Sequence, residues 1–400
     1  MVNVIIVGSG AGGGSIAREL SRTGINVTII DKGPIIKPKD AFEYYETAQI
    51  DLEIMQTTCL GGTTMVTMGN AVRSSQDMFK KMGVDLEDEF IEAEHELKVE
   101  PLPDSHFGLG TKKLMESALS LGFSVERMPK FIDPDFCKPC GKCAFGCKRN
   151  AKWTSMKYLD EAIKFGANII EKTPVTELII DEQKIVGVKS YNREFKADLV
   201  ILCTGALTTP RILIKSNIKA GNHLFVDTFV TIGGVMKKIK FEKEVPMNAL
   251  IKLDDIILSP HYSEILVEKL KKFRARKKDI LGIMVKIKDE SSGMVTEDSM
   301  VKYTTSKDVE LLSRGSAIAG SILVNAGVDA TTLVSTPPRG AHPGGTAALG
   351  EVVDENLETE IQGLFVVDSS VFPEAPGVPP VLTIIALAKR LAKYLLKERI

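Results

Sequence analysis

Residues Val2 to Asp31 constrain this chain more than any other stretch. Val2–Val7 is an apolar, β-branched run of strand length. Gly8-Ser9-Gly10-Ala11-Gly12-Gly13-Gly14 follows. Ser15–Thr23 then reads as a helix, and Asn26–Ile30 as a second strand that ends at Asp31. This is G-x-G-x-x-G between a strand and a helix, with an acid 23 residues after Gly8. Each part has a physical reason. Gly8 permits the tight turn, Gly10 lets the backbone approach a pyrophosphate, and Gly13 lets helix and strand pack closely. The helix N-terminus offers free N–H groups and the positive end of its dipole to phosphate. Asp31 is placed to accept from a ribose hydroxyl. The stretch predicts a dinucleotide-binding βαβ unit, and leaves NAD and FAD open.

The chain has 400 residues, 44% of them hydrophobic, enough for two or three lobes. A net charge of −1 gives no reason to expect nucleic acid as partner. The opening residues enter a strand with no secretion-signal pattern, and no apolar run is long enough to span a membrane. The expected setting is therefore cytoplasmic.

Further along, Cys59-Leu60-Gly61-Gly62-Thr63-Thr64 is a loop able to lie against a flat ligand. Residues 40–57 read as irregular. Asp198–Cys203 is a buried strand stopped by Thr204-Gly205-Ala206. In the middle block, Phe229–Lys240, Ala249–Leu258 and Ile280–Lys288 read as strands. Ser263–Lys277 reads as a helix with a basic, solvated end, and Ser306–Ala326 as another helix. Gly363–Val367 is a strand ending at Asp368, and Val381–Leu396 is an amphipathic helix. A strand ending in Asp so late in the chain predicts a return to the N-terminal sheet.

Four of the six cysteines crowd together. Cys137, Cys140, Cys143 and Cys147 have the spacing C-x2-C-x2-C-x3-C. Bacterial ferredoxin ligands share this spacing, apart from the final proline, which here is Lys148. It favours a [4Fe–4S] cluster, with Gly141 and Gly146 allowing sharp bends. Zinc more often uses two separated pairs, and the third alternative is no metal at all. A second set of ligands is missing, so one short loop has to supply everything. Cys59 and Cys203 are expected to pack as small apolar residues.

Four segments together resemble the glucose–methanol–choline (GMC) oxidoreductases. They are the opening glycine turn, Leu60–Thr64, Leu199–Leu213 (LVILCTGALTTPRIL), and a C-terminal set. That set comprises His342-x-x-Gly345-Thr346, Val353-Asp354, Gly363–Pro373 and Gly377-x-Pro379-Pro380-x-x-Thr383-Ile384. Cys137–Ser155 and the Met284–Gly293 pattern (Met-Val-Lys…Asp-x-x-x-Gly) are most similar to the long-chain alcohol oxidase branch.

The resemblance implies an α/β, Rossmann-like FAD-binding domain of GMC type with a smaller α+β substrate domain. The expected division is 1–221 for FAD, with a cysteine-rich insertion at 131–150, then 222–334 as substrate domain and 335–400 as the return. It also implies FAD, lined by Gly8, Gly10, Gly13, Asp31, Gly61, Gly62, Thr63, Gly205, Asp368 and Pro380. His342 would take the hydroxyl proton of a CH–OH substrate while hydride leaves for the flavin. The family's second polar residue, His or Asn, is replaced by Pro379, which can neither donate nor act as a base. The expected activity is a dehydrogenase or reductase acting on an apolar or lipid-like molecule. Its electrons would pass through the cluster to a one-electron partner such as ferredoxin. A ferredoxin-linked reductase of a carbonyl or C=C bond, and an electron carrier with no small substrate, are the alternatives.

Overall fold

The structure is a computed structural model and describes residues 2–49 and 53–400. In chain order, the elements that build the site begin with β1 (Asn3–Val7), α1 (Ala11–Ser21), β2 (Asn26–Ile30), β3 (Tyr45–Gln49) and β4 (Glu53–Thr57). Next come α2 (Ser155–Lys164), β5 (Asn168–Ile170) and β6 (Leu199–Leu202). The middle block supplies β7 (Thr228–Val235), β8 (Ala249–Leu253), β9 (Ile256–Pro260), β10 (Ile280–Ile287) and α3 (Ser306–Asn325). The chain closes with β11 (Arg339–Gly340), β12 (Leu364–Val366) and α4 (Val381–Glu398).

The first sheet has five parallel strands in the order β12-β6-β1-β2-β5. Parallel strands covered on both faces are continuous apolar runs, and all four residues of β6 are buried. Helices α2 and α4 pack against α1. Helix α4 buries Leu382, Ile385, Ala388, Leu391 and Leu395 in the same core. The late strand does rejoin the N-terminal sheet: Val200–Leu202 of β6 pair with Leu364–Val366.

Helix α1 begins at Ala11, four residues earlier than the periodicity suggests. Its first turn therefore runs through glycines. A Cβ on Gly13 would come within 2.0 Å of the Gly8 carbonyl oxygen, so the close approach expected there is real.

The second sheet is mainly antiparallel. Its order runs β3-β4-β11-β7-β10-β9-β8 and ends on the short strand Glu126–Arg127. Every residue of β7 and β10 is buried, with α3 packed on them. Three expectations change here. Residues 45–49 and 53–57 form strands rather than irregular chain, and 50–52 lie outside the described residues. The run Ala249–Leu258 is a hairpin, not one strand, because Asp254-Asp255 makes a turn between β8 and β9. The helix predicted over Ser263–Lys277 stops at Leu270, and Arg274 in the left-handed region (φ +55°) breaks the basic run.

Candidate active site

The two sheets face each other across a cavity of about 630 Å3. Gly8, Gly10, Asp31, Gly62, Thr63, Gly205, His342, Asp368, Pro379 and Pro380 line it. Gly13 sits behind it, packing α1 on the sheet. Gly61 is also outside the lining, but its N–H donates to Ser9 Oγ at 2.9 Å and so fixes the loop.

The glycine turn fits a dinucleotide. Gly8 has φ +93°, a conformation that strains any other residue. Gly10 has open space where a Cβ would stand. Helix α1 starts beside it with no capping side chain and no acid in its first turn. Its free N–H groups are thus left for an anion.

The two aspartates act on the chain as well. Asp31 accepts from Ser9 N (2.8 Å), Ser9 Oγ (2.5 Å) and Gly33 N (2.7 Å). Burial pushes its carboxyl up, against these donors. A carboxylate has about four acceptor sites, so room for one more donor remains. Asp368 has no such room. It accepts from Gly205 N, Thr209 Oγ1, Ser370 N and Ser370 Oγ at 2.6–2.8 Å. It ties the Gly205 turn to the end of β12.

At the other end of the cavity stands His342, 21% exposed. Its Nδ1 lies 2.9 Å from Asp227 Oδ2 and 2.7 Å from Lys286 Nζ. Among the described residues Nε2 has no protein partner. Burial, then the charge of Lys286, push the ring down to about 4, with Asp227 opposing. His342 is therefore a neutral imidazole near neutral pH. His261 also lines the cavity, held by Thr231 Oγ1 at 2.9 Å.

Sequence reasoning missed Lys286 and Asp227. Their signal was faint but present. Lys286 is a lone inward-facing cation in the apolar run of β10, and Asp227 stands immediately before β7.

The four-cysteine loop adjoins the cavity through Gly141, Ala144 and Phe145. Gly141 and Gly146 do make its bends, with φ +69° and +96°. Among the described residues, no group of three or more His, Cys, Asp or Glu could hold a metal ion. The ligand set expected from Cys137, Cys140, Cys143 and Cys147 thus does not fit an ion as arranged: Cys140 is exposed while the others are half-buried. Cys59 and Cys203 are buried as expected, and burial pushes the Cys59 thiol up to about 12.

The chain belongs to the GMC oxidoreductase family. The N-terminal GMC model matches residues 11–239 and the C-terminal one residues 296–388. Membership makes the protein an oxidoreductase and supports FAD as its cofactor. An uncharacterized protein of Methanocaldococcus jannaschii is 38% identical, over 99% of this chain and 100% of that one. A long-chain-alcohol oxidase of Arabidopsis thaliana is 22% identical, over 96% of this chain and 66% of its own. The crystal structure of pyridoxine 4-oxidase from Mesorbium loti has a TM-score of 0.78 at 16% identity, with full coverage of both chains. The fold is thus the Rossmann-like α/β fold of this family. Among the described residues, no helix is long and apolar enough to cross a membrane.

Proposed function

We propose that this chain oxidises a CH–OH group of an apolar substrate, with His342 as proton acceptor and FAD held by the glycine turn. The observation that carries this reading is the state of His342. It lines the cavity, its Nδ1 is engaged by Asp227 and Lys286, and among the described residues its Nε2 has no protein partner. The bound flavin would supply a two-electron hydride acceptor. The chain's own residues do the rest. His342 removes the hydroxyl proton, and Phe229, Met247 and Met284 give the cavity an apolar wall. Residues 1–221 and 335–400 hold the cofactor in this reading, and 222–334 cover the substrate. Anaerobic mixing with a series of alcohols tests it. A good substrate bleaches the flavin absorbance. H342A keeps its flavin and loses this response, and undiminished bleaching by H342A would exclude His342 as the base.

A second reading retains the [4Fe–4S] cluster and a ferredoxin-like partner. Lys130 and Lys152 favour it. Both are buried beside the cysteine loop, and neither has a carboxylate within ion-pair distance among the described residues. Burial pushes them down to about 7 and about 8, while cysteine thiolates pull the other way. An anionic thiolate cluster would offset two buried ammonium groups. Iron and sulfide analysis of anaerobically purified protein decides: absence of both removes this reading.

A further inference from the structure

Lys286 lines the cavity and touches His342, yet alcohol oxidation by His342 alone leaves it without a task. It stands in β10 among apolar residues, its side chain 1% exposed. A lysine is buried this deeply only when something holds its head group. What it meets is His342 Nδ1 at 2.7 Å and Asp227 Oδ2 at 3.7 Å. Asp227 is itself fixed, with Oδ1 accepting from Gly377 N at 3.0 Å.

One ring nitrogen cannot donate and accept at the same time. When Lys286 is an ammonium, it donates to Nδ1, and the imidazole hydrogen sits on Nε2. When Lys286 is an amine, Nδ1–H points at Nζ or Asp227, and Nε2 is bare toward the cavity. The two nitrogens of the ring thus join the cavity to Lys286.

Resting on the reading of His342 given above, we propose that His342 and Lys286 form one proton relay. Nε2 takes the substrate hydroxyl proton, and Nδ1 passes its own proton to Lys286 Nζ. The step balances. The O–H bond breaks and Nε2–H forms, while Nδ1–H breaks and Nζ–H forms. The bound flavin would supply the two-electron acceptor for the C–H hydride, so that the substrate becomes a carbonyl compound. The relay removes a difficulty in the site. An imidazolium is disfavoured here by burial, whereas an ammonium on Lys286 lies beside the Asp227 carboxylate. It also brings a polar group to an active site in which Pro379 has none. Lys286 is a positioning residue in this scheme, because it acts through His342.

The groups facing Lys286 are His342 and Asp227, with Asp289 adding negative charge and His261 nearby. Burial holds its ammonium below the ordinary lysine range, against Asp227 and Asp289. The relay therefore makes a specific claim about pH. As rising pH takes the proton from Lys286, His342 changes from the Nε2–H to the Nδ1–H form without becoming an imidazolium.

Nitrogen-15 NMR of labelled histidine in flavin-loaded, substrate-free protein reads this directly. Wild type is expected to show the exchange of forms. K286M is expected to stay Nδ1–H throughout, and the K286M/D227N pair does the same without an unpaired buried carboxylate. K286R keeps a cation that does not release its proton. It should stay Nε2–H, retain flavin, and lose at least about 100-fold in alcohol turnover. A wild-type ring that keeps one form, an imidazolium, or near-normal turnover by K286R would each overturn the relay. If wild type turns over no alcohol, the oxidation reading fails, while the NMR exchange still decides whether Lys286 sets the state of His342.

Discussion

Asp289 and Lys302 form an ion pair 3.0 Å long, with both side chains wholly inaccessible to solvent. Asp308, equally buried, lies 3.7 Å from the same ammonium. Asp289 also accepts from the N–H groups of Val226 and Thr228, the neighbours of Asp227. The pair therefore holds the backbone on both sides of a residue that touches His342.

Removing Lys302 leaves two buried carboxylates uncompensated. K302M should cost about 3–5 kcal/mol. Urea unfolding checks it, and flavin content should fall as Asp227 shifts. An unchanged unfolding midpoint would mean that the pair carries no structural role.

Gly10 and Gly13 should respond in opposite ways. A Cβ on Gly13 meets backbone at 2.0 Å, while one on Gly10 meets nothing within 4 Å. G13A is expected to lose about 2 kcal/mol or more of stability. G10V should fold with a normal melting temperature and bind flavin poorly. Flavin titration and thermal melts of the two purified variants, side by side, show whether the split holds.

Asp368 accepts from four donors, and an amide can match only part of that set. D368N should loosen the Gly205 turn at a cost of about 1–3 kcal/mol and weaken flavin binding. Equal flavin affinity in D368N and wild type would argue against the bracing role.

His261 makes stability depend on pH. Burial pushes its folded value down to about 4, from 6.5 in the unfolded chain. Between these values the unfolded state binds more protons, so stability falls as pH drops through that window. The loss amounts to at most about 3 kcal/mol. H261Q should flatten this part of the melting-temperature curve relative to wild type. Parallel curves would place the ring in solvent contact.

The glycine turn, the returning strand and His342 were legible because each follows a local rule: a turn, a period or a motif spacing. The strands at Tyr45–Gln49 and Glu53–Thr57 were not. Their polar composition hides a pairing with β11, about 285 residues further on. The Ala249–Pro260 hairpin was hidden because Asp254-Asp255 interrupts an apolar run by only two residues. The contact of Lys286 with His342 spans 56 residues, and no window of sequence brings the two together. Residues 131–150 show the reverse case, where a sharp spacing signal is not matched by a metal-holding group among the described residues.

The last strand of the flavin-side sheet, β12, pairs with a neighbour made more than 150 residues earlier. During synthesis, Leu199–Leu202 must therefore wait with one hydrogen-bonding edge open and both faces apolar. Such an edge is adhesive. The Asp368 brace of the Gly205 turn arrives with the same late strand. The cavity wall at Gly205 is therefore finished only when the last strand is in place.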